Sequence, residues 1–282
     1  MKKLLLATDL SPRSELALRR ALRLAREHNA ALAVIHIVDD DLPSSLAEVT
    51  KAGAEQIIRA QLAASPNGAQ TEVSIKVASG KPFSDILAHA AGEKAELIVL
   101  GMHRKAGIKE LFRGTTAERV IRTGHIPVLV VRSGAKETYR RVVVGTDFSV
   151  HARRAMQVAL RLAPGAELYL VHGFLVPFQG FMYGPDTHRQ VEAEHQRWMT
   201  AMIDDEMRIF LTSFEGAPPR VHQVVREGMA QEVILKEVAS NRADLLVLGT
   251  HGRTGVAHAV LGSVAEDLLA EAPCDVLVAR AW

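Results

Sequence analysis

Cysteine, net charge and long apolar runs are what this sequence has least of. Its 282 residues include a single cysteine, Cys274, which excludes an internal disulfide, suits a reducing compartment and is expected to be an inert strand residue. The formal net charge is only +2, so the composition does not favour a nucleic-acid surface. No apolar run approaches the roughly 20 residues of a membrane-spanning helix. We therefore expect a cytoplasmic protein that binds neither nucleic acid nor membrane.

Common catalytic and metal-binding motifs are also missing. The chain has no H-E-x-x-H and no paired cysteine and histidine ligands, so we predict no metal site. It has no G-x-S-x-G nucleophile elbow, and neither G-x-x-x-x-G-K-[ST] nor G-x-G-x-x-G occurs. We therefore predict no catalytic residue, and any phosphate binding must use another kind of loop.

The sequence falls into two similar halves. Three segments of the first half return in the same order in the second: LLATDLS at 5–11 as VVGTDFS at 143–149, LIVLGMH at 97–103 as LLVLGTH at 245–251, and VLVVR at 128–132 as VLVAR at 276–280. Three matches in one order indicate a duplication. We predict one domain at 1–136 and a second at 139–282, which carries an insertion at about 174–214.

Short apolar segments alternate with helical patterns in each half. In the first half, strands are predicted at 3–8, 31–38, 71–77, 96–101 and 127–132. Ser11 and Pro12 are typical of a helix start, and the apolar residues after them follow a helical spacing. Continuous apolar strands suit a parallel sheet that is covered on both faces. The predicted fold class is α/β, with two tandem doubly wound domains, each a five-stranded parallel sheet flanked by helices.

Ligands of such sheets bind beyond the carboxyl ends of the strands. There the second half has Asp147 after its first strand and, after its fourth, G-T-H-G, nine residues and G-S at 249–263. Glycine lets the main chain approach a ligand, and the N–H groups at a helix start favour a phosphate. Ser263 with Glu266 also fits a capping box, as does Thr115 with Glu118. These loops therefore either bind phosphate or simply begin helices.

Taken together, these residues resemble the universal stress protein family, and the resemblance covers nearly the whole chain. ATP-binding members carry G-x-x-G, nine residues and G-[S/T], which Gly249, Gly252, Gly262 and Ser263 match. The family fold is a Rossmann-like five-stranded parallel sheet, similar to that of adenine nucleotide α-hydrolases and normally dimeric. The resemblance implies an adenine nucleotide as ligand, namely ATP, alone or with Mg²⁺.

The resemblance also implies where the nucleotide would lie. The residues implied in the second half are Gly145, Thr146, Asp147, Gly173, Leu248, Gly249, Gly252, Gly262, Ser263 and Val264. Those implied in the first half are Ala7, Thr8, Asp9, Ile37, Gly101, Gly114, Thr115 and Thr116. Arg104 replaces the second glycine of the first half, so we expect a weakened site there, although its guanidinium could instead contact a phosphate.

The insertion in the second half is rich in aromatic and methionine residues. A long helix is predicted from about 187 to 214, with Val191, Trp198, Met202, Ile209 and Phe210 roughly on one face. Such a stripe either packs on the sheet or forms an apolar pocket or a partner surface.

The leading functional hypothesis is a cytoplasmic stress-response protein that binds ATP, mainly through the second domain, and acts as a sensor or regulator. One alternative is a slow ATPase. Another is a nucleotide-independent binding or chaperone-like module that uses the apolar insertion. We expect the two halves to pair within the chain as a pseudo-dimer, and a homodimer of two chains is compatible with this. The sequence does not indicate a protein partner.

Overall fold

A computed structural model shows two similar α/β halves that share one sheet. It describes residues 1–66, 68–102, 114–133, 137–175, 185–214, 221–252 and 261–281. The strands of the first half are β1 (Lys3–Ala7), β2 (Ala31–Asp39), β3 (Val73–Gly80), β4 (Leu97–Gly101) and β5 (Val128–Val131). Its helices are α1 (Pro12–His28), α2 (Ser44–Ala64), α3 (Pro82–Gly92) and α4 (Thr116–Thr123), and a short 3-10 helix spans Gly68–Gln70.

The second half repeats this order. Its strands are β6 (Arg141–Gly145), β7 (Glu167–Phe174), β8 (Val221–Glu227), β9 (Leu245–Gly249) and β10 (Asp275–Ala279). Its helices are α5 (Val150–Leu162), α6 (Pro185–Thr212), α7 (Ala230–Ser240) and α8 (Ser263–Glu271). The predicted strands and the α/β fold class are confirmed.

The strands form one sheet in the order β3-β2-β1-β4-β5-β10-β9-β6-β7-β8. Neighbours within each half are parallel, whereas β5 and β10 are antiparallel. Buried side chains of α1, α2, α5 and α6 form a core on one face of the sheet, and those of α3, α4, α7 and α8 form a core on the other. The sheet is therefore covered on both faces, as its continuous apolar strands predicted.

The duplicated halves contact each other reciprocally where β5 meets β10. Arg132, which follows β5, donates to the carbonyl oxygens of Ala272, at 2.6 Å, and Leu269, at the end of α8. Arg280, at the matching position after β10, donates to the carbonyl oxygen of Arg122 in α4 at 2.9 Å. Cations at the carbonyl ends of helices are stabilising. The two halves are thus arranged in a twofold-like manner.

A buried carboxylate breaks this symmetry. Asp275 is 0% exposed, and its Oδ2 accepts from Arg20 Nε at 3.1 Å and from the Tyr139 hydroxyl at 2.7 Å. Its Oδ1 accepts from the backbone N–H groups of Arg132, at 2.9 Å, and Ser133, at 3.1 Å. The Arg20 guanidinium also lies 4.3 Å from the centroid of the Tyr139 ring. This seam cluster ties α1 of the first half to the first residue of β10.

The seam cluster generates a stability prediction. Asp275→Asn leaves the Arg20 guanidinium buried without its counter-charge, and breaking a buried pair in this way typically costs about 3–5 kcal/mol. The double variant Arg20→Met with Asp275→Asn removes both charges and should recover much of that loss, because a buried pair contributes little net stability. Urea unfolding of the full chain measures both. Equal losses in the single and double variants would contradict this account.

The long helix of the second half is confirmed, and Trp198, Met202 and Ile209 share one face of it, as predicted. That face is exposed, so the alternative that it packs on the sheet is wrong, and Phe210 does not belong to it. Phe210 is 5% exposed and packs on the sheet, whereas Trp198 and Ile209 are 59% and 63% exposed. Met202 is also exposed, and the side chain of Val191 and the segment 176–184 lie outside the described residues. Consecutive residues of a helix point about 100° apart, so Ile209 and Phe210 belong to different faces. Within the described ranges, no helix could cross a membrane.

The single cysteine matches its expected inert character. Cys274 lies directly before β10 and is buried. Burial, followed by the charge of Asp275, raises the pKa of its thiol to about 12. The thiol therefore stays protonated and is a poor nucleophile at neutral pH.

Candidate functional site

A cavity of about 520 Å³ opens at the carboxyl edge of the strands in the second half. Nine of the ten residues predicted for this half line it, and Gly173 is the exception. The ends of β6 and β9 and the starts of α5, α7 and α8 form its walls. This volume falls in the range of roughly 300–1,000 Å³ that is usual for small-molecule sites.

The turn after β6 directs Asp147 into this cavity. Thr146 Oγ1 accepts from the N–H of Phe148 at 3.0 Å, and Asp147 Oδ1 accepts from the N–H of Ser149 at 3.1 Å. Ser149 Oγ then caps α5 by accepting from the N–H of Ala152 at 3.1 Å. Phe148 has a φ of 63°, the left-handed region, which lets the chain pass from strand to helix within a few residues. Each residue of T-D-F-S thus has a structural task in the turn.

The first half contains the same turn with one added contact. Leu10 has a φ of 62°, and Asp9 Oδ1 accepts from the N–H of Ser11 at 3.0 Å. The hydroxyl of Ser14 also donates to Asp9 Oδ1. The matching residue of the second half is Ala152, which lines the cavity. The two carboxylates therefore have different surroundings, because a serine contacts one and an alanine borders the other.

A histidine supports this turn in each half. His36 Nδ1 lies 2.8 Å from the carbonyl oxygen of Thr8, and His172 Nδ1 lies 2.7 Å from that of Thr146. A carbonyl oxygen can only accept, so Nδ1 carries the hydrogen in both rings. Both histidines therefore have a structural hydrogen bond to the strand end of their own half.

Gly249 is required for packing. A Cβ on Gly249 would lie 2.9 Å from the backbone nitrogen of Ala152, because the end of β9 presses against the start of α5. Gly101 of the first half meets the same constraint, with the carbonyl oxygen of Arg13 at 2.8 Å. Glycine at these two positions therefore follows from the fold and is not by itself a sign of ligand binding.

Gly252, by contrast, borders the carboxylate of the site. A Cβ on Gly252 would lie 3.0 Å from Asp147 Oδ2. A larger side chain would therefore have to displace the acid or take the space next to it. Arg104, the residue at this position in the first half, falls in the segment 103–113, outside the described residues.

Among the described residues, no side chain caps helix α8, which begins at the cavity. Its N-cap is Gly262 and Ser263 is its first residue, so the capping box predicted for Ser263 and Glu266 is wrong. The N–H groups of the first turn have no acceptor within the helix, and Ser263, Val264 and Ala265 line the cavity. The positive end of the helix dipole adds to the attraction of this position for an anion.

Helix α4, the counterpart of α8, provides its own anionic cap. Thr115 Oγ1 accepts from the N–H of Glu118 at 3.1 Å, which confirms the predicted cap. Glu118 Oε2 accepts from the N–H of Gly114 at 2.6 Å, and this side chain is largely buried. A carboxylate thus already occupies the start of α4, which makes that helix start less suited to a phosphate than the start of α8.

The structure places the other first-half residues at matching positions. The end of β1 and the turn after it contain Ala7, Thr8 and Asp9. Ile37 lies in β2 and pairs with Ala78 of β3, and Thr116 is the first residue of α4. In the second half, Gly173 takes the place of Ile37. A Cβ on Gly173 would lie 2.9 Å from the Cα of Ala230, so this glycine lets α7 approach β7.

The sequence reasoning missed the apolar wall of the cavity. Ala230 and Ile234 of α7 line it beside Leu248. A Cβ on Gly145 would lie 2.8 Å from Ile234 Cδ1, which shows how closely α7 packs over the end of β6. No motif marks these residues. The available signal was topological, since α7 crosses from β8 back towards the site.

Two histidines lie at the polar end of the site. The rings of His151 and His251 are 5.2 Å apart, and His251 lines the cavity. His151 Nδ1 accepts from the N–H of Ala281 at 3.0 Å, so this ring nitrogen carries no hydrogen in the contact. Burial lowers the pKa of His151, and His251 and Arg280 lower it further, against an opposing effect of Asp147.

This contact predicts a pH dependence of stability. Because the pKa of folded His151 lies below its ordinary value of 6.5, the folded chain binds fewer protons there than the unfolded chain. The contribution of His151 to the free energy of unfolding is therefore complete above about pH 6.5 and is lost as the pH falls below that value. His151→Gln keeps an acceptor for Ala281 but does not titrate, so it should reduce the difference in Tm between pH 7.5 and 5.5 by on the order of 1 °C. An unchanged difference in thermal scans would contradict this role, with His125→Gln as the control for loss of an exposed histidine.

The family model described as the universal stress protein family matches residues 1–132 and again 138–280. The chain belongs to the universal stress protein family. It contains two domains of that family in tandem, as the repeated segments indicated.

Relatives match both one half and the whole chain. A universal stress protein of Methanocaldococcus jannaschii is 33% identical over 146 residues, covering 48% of this chain and 85% of that protein. One of Mycobacterium tuberculosis is 25% identical over 311 residues, covering 98% of this chain and 94% of that protein. The crystal structure of a universal stress protein from Archaeoglobus fulgidus has a TM-score of 0.71 at 21% identity, covering 99% and 98%. This last likeness supports the fold.

Proposed function

We propose that this universal stress protein binds ATP, alone or with Mg²⁺, in the cavity of its second domain and acts as a cytoplasmic stress-response sensor or regulator. One observation carries the proposal: the start of α8, which no side chain of the described residues caps, and the carboxylate of Asp147 line the same cavity. We take the domains to be 1–136 and 139–282. The sequence contains no common nucleophile or metal motif, which favours a binding role over rapid catalysis.

The charges of the cavity suggest how a nucleotide would lie in it. Phosphates are attracted by the N–H groups at Ser263 and Val264 and repelled by a carboxylate. Asp147 is suited to accept hydrogen bonds from the hydroxyl groups of a sugar. Ile234 and Leu248 offer an apolar surface to a planar base. The phosphates, sugar and base of a nucleotide thus each have a matching wall of the cavity.

The proposal makes Gly252 the position to change. Gly252→Arg copies residue 104 of the first half and places a Cβ 3.0 Å from Asp147 Oδ2. We expect it to weaken MgATP binding by about tenfold or more, because crowding of this kind costs roughly 1–3 kcal/mol. Isothermal titration of the full chain measures the change.

The matched control for this experiment is Gly53→Arg. A Cβ on Gly53, which lies in α2, meets no atom within 4 Å, so this variant should bind as the wild type does. MgATP binding that is unchanged in Gly252→Arg would argue against the cavity as the site. An absence of binding by the wild-type chain would overturn the proposed function.

A further inference from the structure

An aromatic cluster links α6 to the turn that holds Asp147. The ring of Phe148 lies 4.7 Å from that of His172 and 5.8 Å from that of Phe210, which it meets edge to face. Phe210 in turn meets Phe214 edge to face at 5.2 Å. Phe210 and Phe214 are both buried. The four rings therefore connect Phe148, in the turn after β6, with the buried side of α6, and none of the described α6 side chains lines the cavity.

The position of Phe148 makes these contacts consequential. A non-glycine residue with a left-handed backbone conformation is strained, so contacts of its neighbours must hold Phe148 in this conformation. His172 provides a fixed platform, because its Nδ1 is bound to the carbonyl oxygen of Thr146. Phe210 supports the ring from α6. Edge-to-face aromatic pairs add to ordinary apolar burial, so this support is directional as well as close.

The first half shows the same turn without this arrangement. Leu10 has nearly the same φ as Phe148 but carries no ring. The buried side chains of α2, the counterpart of α6, are all aliphatic: Ala47, Ala54, Ile58 and Leu62. The aromatic contacts between turn and helix therefore belong to the second half, in which Phe148 and Phe210 replace the aliphatic residues of the first.

We propose that Phe148 is a positioning residue of the second-domain site and that Phe210 couples α6 to its affinity. The effect on affinity rests on the proposed nucleotide function. Phe148 lies between Asp147 and Ser149, whose N–H binds Asp147 Oδ1. Displacement of the Phe148 ring therefore moves both partners of the hydrogen bond that orients the carboxylate.

Amide hydrogen exchange tests the coupling without a nucleotide. In Phe210→Leu, we expect the N–H groups of Ser149 and Ala152 to exchange about three- to tenfold faster, because the aromatic support of their turn is weakened. The N–H groups of Ser11 and Ser14 form the matching turn of the same molecule and should keep their wild-type rates. Unchanged exchange at Ser149 and Ala152 overturns the proposal, whether or not the chain binds ATP.

Titration with MgATP tests the effect on affinity. Phe148→Leu, which copies residue 10, and Phe210→Leu should each weaken binding about three- to tenfold, whereas Phe148→Tyr keeps the ring and should retain affinity. Met207→Ala, at a fully buried position of the same helix, is the control for general destabilisation and should lower Tm without this loss of affinity. Equal affinities in all folded variants contradict positioning. If the wild-type chain binds no MgATP, the proposed function fails and hydrogen exchange alone decides the coupling.

Discussion

In each half, the first strand must turn into a helix within a few residues, and the carboxyl edge of the sheet depends on this constraint. The turn requires one residue with a left-handed backbone conformation, which is Leu10 in one half and Phe148 in the other. Threonine and aspartate side chains bind the backbone N–H groups that this conformation exposes. One acid is thereby fixed at the edge where parallel α/β sheets bind their ligands. The start of the following helix then presses against β4 or β9 and demands glycine there.

The duplicated halves share this framework but differ at their ligand edges. The start of α8 offers N–H groups to a cavity, whereas Glu118 already caps the N-terminal side of α4. Residue 252 is glycine beside Asp147, while its counterpart is Arg104. Ala152 borders one carboxylate and Ser14 binds the other. The helix starts thus differ in whether a carboxylate of their own lies against their N–H groups, and the seam cluster around Asp275 connects the two halves that differ in this way.

Much of the fold could be predicted, because apolar strands and capped helices are local signals. The pairing of β5 with β10 was less accessible, since it joins residues far apart in the sequence, such as Arg132 and Asp275, which are 143 residues apart. The glycine loop was found by its spacing, whereas Ala230 and Ile234 enter the cavity through packing and leave no motif. The burial of α6 was misjudged because this helix has two apolar faces, and the sequence pattern does not show that the one with Phe210 is buried and the one with Trp198 and Ile209 is exposed. The capping pattern at Ser263 failed because Gly262 is the N-cap and Ser263 is already the first residue of the helix.

The most direct test of ATP binding in the second domain is a count of nucleotide in the purified chain. The chain of 282 residues is isolated without added nucleotide, saturated with MgATP and freed of excess. It is then denatured, and the released adenine nucleotide is quantified by chromatography with mass detection. The account predicts about one nucleotide per chain, because Glu118 caps the start of α4, whereas no side chain within the described ranges caps the start of α8. Two per chain would contradict the difference between the halves, and none would contradict nucleotide binding itself.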